Sequence, residues 1–247
     1  MQFRAIIIAS RYTYEAIRQV GGRIDLDVEQ AGSPVTLTAE SVLITTGRTA
    51  NVEGLGLDQL GIETTSNGGI KVDDQLRTTR LGFYAAGDVT GRDQFVYMAA
   101  YGAKLAAQNA LNGDSRTYNN RAMPAVVFSD PQVGSVGLTE AQAQAAGHQV
   151  RTSLITLDHV PRAIAARNTR GLIKLVADGQ SRKLLGAHIL APEGADSIQT
   201  AALAIRCGLT IDDLAETIFA YLTTVEGLKL AAQTFDKDVS KLSCCAG

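Results

Sequence analysis

The chain has 247 residues, 45% hydrophobic and 19% charged, with a net charge of −2 at neutral pH. That supplies apolar material for one large domain or two ordinary ones, and the acidic balance argues against nucleic acid or an anionic membrane as the main partner. Three cysteines, two of them adjacent, are no disulfide framework and fit a reducing compartment. The first ten residues hold too short an apolar run for a signal peptide or a membrane span, so a cytoplasmic location is expected.

In chain order, residues 1–48 read as strands with short turns. Arg23-Ile-Asp-Leu-Asp-Val-Glu and Val35-Thr-Leu-Thr alternate apolar and polar residues, as half-buried strands do. Ser41-Val-Leu-Ile-Thr-Thr-Gly-Arg reads as a buried strand ending at Gly47. Asn51-Val-Glu-Gly-Leu-Gly-Leu is a loop, and Gly68-Gly-Ile-Lys-Val-Asp a short strand after a turn. Gly82-Phe-Tyr-Ala-Ala-Gly-Asp-Val-Thr-Gly gives a short apolar strand, Phe83 to Ala86, then a sharp turn at Gly87 that leaves Asp88 at the strand's carboxyl end. From Gln94 to Leu111 small and apolar residues recur at helical spacing. This layout aims a carboxylate and a helix N-terminus at one spot. Asp88 either caps its turn or presents its carboxylate to a ligand.

Leu111-Asn-Gly-Asp-Ser-Arg-Thr-Tyr-Asn-Asn is a polar linker. Beyond it the pattern is α+β. Ala125-Val-Val-Phe is a strand, Thr139 is an N-cap with Glu140 at the first helical position, and Val150 to Asp158 alternates. Leu172-Ile-Lys-Leu-Val-Ala and Leu184-Leu-Gly-Ala-His-Ile-Leu are strands joined by a turn at Asp178. Helices follow over Ile198 to Cys207 and Ile211 to Ile218. Strands joined by short turns and followed by helices predict an antiparallel sheet covered on one side. Cys207 reads as a packing residue, and His148, His159 and His188 lack metal-ligand spacing.

The last stretch carries a helical face of Val225, Leu228, Leu230, Ala231 and Ala232, with Tyr221 near its start. Cys244 and Cys245 sit two residues from the end of the chain. Adjacent thiols in a mobile tail are either incidental or a pair of soft donors for a soft metal ion. Tyr221 by itself reads as a half-buried core tyrosine.

The ordered set Thr46-Gly47-Arg48, Ala85-Ala86-Gly87-Asp88, Asp130-Pro131 and Val136-Gly137-Leu138-Thr139-Glu140 resembles the carboxyl-terminal portion of the flavin-dependent pyridine-nucleotide disulfide oxidoreductases. Within that group, the run Tyr221 to Phe235 and the terminal Ser-Cys244-Cys245-Ala-Gly are similar to the mercuric reductases. The resemblance implies a fold of class α/β plus α+β: a remnant of nucleotide-binding, Rossmann-like domains followed by an antiparallel-sheet dimerisation domain covered by helices. It divides the chain into the end of an NAD(P)-binding domain (1–48), the second half of an FAD-binding domain (49–116) and a dimerisation domain with the Cys-Cys tail (117–247).

It further implies FAD and NADPH as cofactors, Hg(II) as substrate and a homodimer. It puts Gly47, Gly87, Asp88, Gln94, Phe95 and Val96 around the flavin. Cys244 and Cys245 become metal ligands, and Tyr221 and Glu226 lie at the chemistry. Relatives acting on dithiols carry His-Pro where this chain has Ala220-Tyr221, with a glutamate matching Glu226 beside that histidine. The chain contains no G-x-G-x-x-G and no spaced redox cysteine pair, so a partial gene product that is inactive alone is expected. Two other readings remain: a dimeric soft-metal-binding module without redox activity, and a dihydrolipoamide-dehydrogenase-like enzyme, which Tyr221 and the Cys-Cys tail disfavour.

Overall fold

A computed structural model describes residues 13–45 and 47–239. They fall into two compact units, one drawn from Met1–Val72 with Arg77–Ala103, the other from Asp73–Leu76 with Lys104–Gly247. Each unit carries an antiparallel sheet, and helices accompany both.

In the first unit, β1 (Thr13–Val20), β2 (Arg23–Gln30) and β3 (Ser33–Ala39) form an antiparallel meander in that order. Its two turns, Gly21-Gly22 and Ala31-Gly32, have positive φ at both positions. Two-residue hairpins need that backbone because it matches the twist of the flanking strands. The alternation in β2 buries Leu26 and Val28 on one face and sets Asp25 and Asp27 on the other. There Thr38 Oγ1 donates to Asp25 at 2.6 Å and Thr36 Oγ1 to Asp27 at 2.8 Å. Hydrogen bonds from Thr36 and Arg18 hold the Asp27 carboxyl below its ordinary range.

The expected buried strand at Ser41 to Arg48 is not formed among the described residues: 41–45 are irregular, and Leu43 is 87% exposed. An apolar run becomes a buried strand only beside other strands, and β1 to β3 pair with one another instead.

The rest of this unit is built of turns and isolated bridges around Ile62, Ile70 and Ala85, with Val52, Leu57, Leu60, Val72 and Val89 packed against them. It holds the one-turn helix α1 (Leu57–Leu60), between left-handed glycines Gly56 and Gly61, and the start of α2 (Val96–Asn112). The expected strand at Phe83 to Ala86 reduces to a single bridge, Arg77 to Tyr84, and the loop strand near Ile70 to bridges Thr64–Ile70 and Val72–Thr78.

The second unit is centred on a five-stranded antiparallel sheet. It comprises β4 (Ala125–Val127), β5 (Gln132–Gly137), β6 (Val150–Thr156), β7 (Leu172–Asp178) and β8 (Leu184–Ala191), in the order β4-β5-β8-β7-β6. Between β5 and β6 lies α3 (Glu140–Ala145), whose N-cap Thr139 and Gln142 form a reciprocal capping box. The short α4 (Pro161–Ala165) starts on proline, which costs nothing at a first helical position.

Helix α5 (Gly194–Cys207) packs on β5 and β8; α7 (Glu226–Gln233) packs on β6 and β7; α6 (Ile211–Glu216) packs on α7. Ile173, Leu175 and Ala177 of β7 face this core with Leu157, Ile189, Ile198, Ile211 and Leu228. Lys174, on the opposite face, pairs with Glu140 at 2.6 Å. Cys207 ends α5 exposed to solvent, not packed as the sequence suggested; the buried face of that helix is already filled by Ile198, Ala201, Ala202, Ala204 and Ile205.

The stretch read as a linker is tied down. Buried Asn109 on α2 donates to the carbonyls of Gln75 (2.9 Å) and Arg116 (2.8 Å) and accepts from the Arg116 N–H (2.8 Å), while the Tyr118 N–H donates to Asp74 O at 2.7 Å. Asn109→Ala strands three backbone groups and is expected to cost about 2–4 kcal/mol of unfolding free energy in urea titration, against under about 0.5 kcal/mol for an exposed α2 substitution.

The β7–β8 turn has an acid-sensitive centre. Hydrogen bonds from the Ser181 backbone, from His148 and from the Ser181 hydroxyl hold the Asp178 carboxyl far below its ordinary range. A depressed folded-state value contributes stability above the ordinary aspartate pKa of about 3.9 and loses it as pH falls below that. Thermal unfolding followed by circular dichroism should show the midpoint falling below pH ~4. Asp178→Asn should lower the midpoint at pH 7 and flatten that acid limb.

Candidate functional site

The expected flavin-side residues lie in the first unit, and local geometry explains their spacing. Gly87 has φ 80° and ψ −158°, and a Cβ there would come within 2.9 Å of Ala99 Cβ. Glycine therefore lets the loop turn and lie flat on α2. Asp88 is not at a strand end as the sequence suggested. It opens a single 3-10 turn, Asp88–Thr90, and its carboxylate side is exposed. Thr90 Oγ1 closes that turn by donating to Gly87 O at 2.8 Å, and the Ile70 N–H donates to Val89 O at 2.9 Å.

A tight reversal follows. The Phe95 N–H donates to Asp93 O at 2.7 Å, and the Met98 and Ala99 N–H groups donate back to Phe95 O at 2.9 and 3.0 Å. This starts α2 at Val96, which is 84% exposed. Phe95 stacks on Tyr97 with centroids 5.2 Å apart, and the Arg48 guanidinium lies over the Phe95 ring at 6.0 Å. Gly47, with φ 114°, is the neighbour that brings Arg48 there. Burial, with the Asp93 carboxylate nearby, pushes the Tyr97 phenol above its ordinary value.

The first unit thus gathers Gly47 with Phe95, and Gly87, Asp88, Gln94 and Val96 along one loop and one helix start. An exposed apolar residue and a helix N-terminus without acidic side chains in its first turn suit the ring of an electron-accepting aromatic group. An exposed aspartate beside them suits a hydroxylated chain. These residues fit the flavin end of FAD; a phosphate-binding glycine fingerprint is absent from the sequence.

The second unit carries Tyr221 and Glu226. Tyr221 stands on the turn between α6 and α7 and is 61% exposed, so it is not the half-buried core residue that composition suggested. Leu222 beside it has φ 66°. Thr223 Oγ1 donates to Ala220 O at 2.8 Å and Thr224 Oγ1 to Glu193 Oε2 at 2.7 Å. Glu226, the first residue of α7, is 3% exposed. Burial raises the pKa of its carboxyl above the ordinary value, and its Oε2 has no hydrogen-bond partner among the described residues. Cys244 and Cys245 lie outside the described residues.

Upstream of that tail in the sequence, four segments are stitched together. Arg182 Nε and Nη2 donate to Asp212 at 2.5 and 2.6 Å, Arg182 also pairs with Asp236, and Arg151 bonds Asp236 at 3.0 Å and the Phe235 carbonyl. Hydrogen bonds from Arg182 and then Arg151 hold the Asp236 carboxyl below its ordinary value. Sequence reasoning missed this cluster, because residues 151, 182, 212 and 236 share no local pattern.

Two profiles of one family match the chain: pyridine nucleotide-disulphide oxidoreductase over residues 4–107, and the dimerisation domain of the same family over residues 123–232. The chain belongs to the pyridine nucleotide-disulphide oxidoreductases. It is 48% identical over 244 residues to a mercuric reductase of Bacillus cereus, a match covering 99% of this chain and 39% of that protein. It is 52% identical over 211 residues to a mercuric reductase of Shigella flexneri, covering 85% and 37%. The chain therefore spans less than half the length of these two curated relatives. Among solved structures, the Cu(II) complex of the HOCl-induced flavoprotein disulfide reductase RclA from Escherichia coli superposes with a TM-score of 0.78 at 27% identity, covering 90% of this chain and 49% of that one. LpdA from Mycobacterium tuberculosis gives 0.79 at 26%, covering 90% and 48%.

Gly87→Ala tests the flavin-side loop directly. The added methyl meets Ala99 at a positive-φ position, so the loop must shift; a cost of about 1–3 kcal/mol is expected. Limited proteolysis should cut near residues 87–95 faster than in the native chain, while a Gly68→Ala control, with open space around it, should not open that loop.

Proposed function

We propose that this chain is the carboxyl-terminal portion of a mercuric reductase, an FAD- and NADPH-dependent oxidoreductase that converts Hg(II) to Hg(0). The observation that carries the reading is Tyr221. With Ala220 it stands where dithiol-reducing relatives carry His-Pro, and it is presented to solvent on a turn; Cys244 and Cys245 follow later in the sequence. A phenol oxygen cannot take up and return a proton near neutral pH as an imidazole does, so the turn is suited to touching a metal rather than to relaying protons to a dithiol.

In this reading Cys244 and Cys245 capture Hg(II) as thiolates, whose softness matches the ion. Exchange between thiol pairs keeps it bound during delivery, and Tyr221 offers an oxygen close to the transfer path. FAD, reduced by NADPH, would supply the two electrons that turn Hg(II) into Hg(0). Gly87 keeps the loop tight, Asp88 holds the hydroxylated chain of the cofactor, and Gln94, Phe95 and Val96 line its ring with the start of α2. The dimerisation domain supports a homodimer through residues from about 121 onward. A reducing cytoplasm would keep the thiols free; among the described residues no helix is long and apolar enough to cross a membrane.

The domain division at 1–48, 49–116 and 117–247 belongs to the same proposal. So does the inactivity of the 247-residue polypeptide by itself, which has neither the glycine fingerprint nor a spaced redox cysteine pair. That absence favours a second reading, a dimeric soft-metal-binding module without redox chemistry.

Mercury titration of the purified chain, with thiol counting and an absorption spectrum, separates the readings. About one Hg(II) per chain is expected, lost in Cys244→Ala/Cys245→Ala, with no flavin absorbance and no NADPH oxidation. Mercury-dependent NADPH turnover by the chain alone would overturn the inactivity. Undiminished mercury binding after both substitutions would remove the tail from the mechanism.

A further inference from the structure

The turn that carries Tyr221 is bent against the preference of its own residues. Leu222 has φ 66°, a left-handed backbone that costs a leucine energy. Its side chain is 38% exposed, so burial of that side chain offers little in return. Two side-chain hydrogen bonds flank the bend. Thr223 Oγ1 closes it from within, on Ala220 O at 2.8 Å. Thr224, 7% exposed, reaches outward instead: its hydroxyl donates to Glu193 Oε2 at 2.7 Å, across 31 positions of sequence. Glu193 is built into the head of α5. Its carbonyl accepts the Ser197 N–H at 3.0 Å, and Gln132 Oε1 accepts the Ala195 N–H at 3.0 Å. Between them Gly194 is packed so closely that a Cβ would meet Gln132 O at 3.1 Å.

We propose that Glu193 is a positioning residue for Tyr221: its carboxylate, anchored through α5, takes the Thr224 hydroxyl and holds the 220–224 turn where the phenol is presented. The inference rests on the reading of Tyr221 as the metal-side group. A hydrogen bond to a carboxylate is roughly twice as strong as one between neutral groups. Arg162 Nη2 lies 3.8 Å from the other carboxyl oxygen, Oε1. That pair is partly exposed and contributes little by itself, so the turn depends on the Thr224 bond. The same bond reaches the start of α7. The Gly227 N–H donates to Thr224 O at 3.1 Å and the Leu228 N–H to Val225 O at 3.0 Å, so a shift of Thr224 displaces the first acceptors of the helix. Residues 193 and 224 share no local pattern. They meet because α5 packs on β5 and β8 while α7 packs on β6 and β7 of the same sheet.

Thr224→Val keeps the shape and removes the donor, while Thr224→Ser keeps the donor. Asparagine tolerates a left-handed backbone, so Glu193→Asn withdraws the carboxylate without adding strain at φ 60°. In the full chain, amide exchange of Gly227 and Leu228 should quicken roughly tenfold or more in Thr224→Val and in Glu193→Asn, and stay near native in Thr224→Ser. The Tyr221 ring resonance, identified by its absence in Tyr221→Phe, should move in the first two variants and return in Thr224→Ser. It reports the folded state, so lost stability alone would not move it. The double variant Thr224→Val/Glu193→Asn should exchange no faster than either single one, because both remove the same bond. Additive effects, Thr224→Ser matching Thr224→Val, or an unmoved Tyr221 resonance in Thr224→Val and Glu193→Asn would overturn the proposal. Should Thr224→Val not fold, Glu193→Asn and Thr224→Ser still decide it.

None of these readouts involves mercury or flavin. Mercury is then added and the Tyr221 resonance followed. A mercury-dependent shift in the native chain and Thr224→Ser that is weaker in Thr224→Val supports the metal-side reading. No shift in the native chain defeats that reading and leaves the exchange and resonance results to judge Glu193.

Discussion

Helix α7 lies on β6 and β7 with no slack. Leu228, Leu230, Ala231 and Ala232 are buried in the core, and the missing side chain of Gly227 is filled by Ile173. Ser153 on β6 donates to Ala231 O at 2.5 Å, and Arg151 reaches the Phe235 carbonyl from the same strand. Burying four such side chains yields several kcal/mol at roughly 25 cal/mol per Å² of apolar surface. The polar bonds from β6 fix how far along the strands the helix sits. Both ends of α7 inherit this placement: its first residue, Glu226, follows the turn that carries Tyr221, and just past its end Asp236 meets Arg151 and Arg182.

The same economy of contacts recurs in the first unit. Its sheet is a meander fixed by two glycine-bearing turns, and its Gly87–Val96 loop is held by close backbone approach. Gly87 against Ala99 and the Thr90 hydroxyl against Gly87 O leave little freedom between Gly87 and Val96. A loop so fixed presents Asp88 and the head of α2 without relying on long side chains, and positioning of this kind is what a bound redox cofactor requires of its protein.

Charge is distributed to hold segments rather than to build a field. Arg182 and Arg151 tie the β7–β8 connection, α6 and the end of α7 to one another through Asp212 and Asp236. Each pair is partly exposed and worth about a kcal/mol or less by itself. Their importance is geometric, since they meet where the chain leaves the sheet for its terminal segment. Asp178 and His148 do similar work at the β7–β8 turn.

Much of this was legible in the residues. The alternation of β2, the Thr139 cap, the paired strands β7 and β8, the mixed α/β and α+β character and the family resemblance follow from local pattern, because period, capping and turn chemistry are local properties. Ser41 to Arg48 and Cys207 were misjudged for one reason: apolar character states what a segment prefers, while burial depends on which neighbours arrive. Asn109, Asp236 and the burial of Glu226 were beyond sequence reasoning because their surroundings are set by the packing of helices on strands. The sequence determined which chemical groups are present and in what order, two thiols, Ala220-Tyr221 where dithiol-reducing relatives carry His-Pro, a glycine before an aspartate. Tertiary structure alone decided that Tyr221 stands in solvent while Glu226 is enclosed, since exposure is a property of the packed surface and no residue carries it alone.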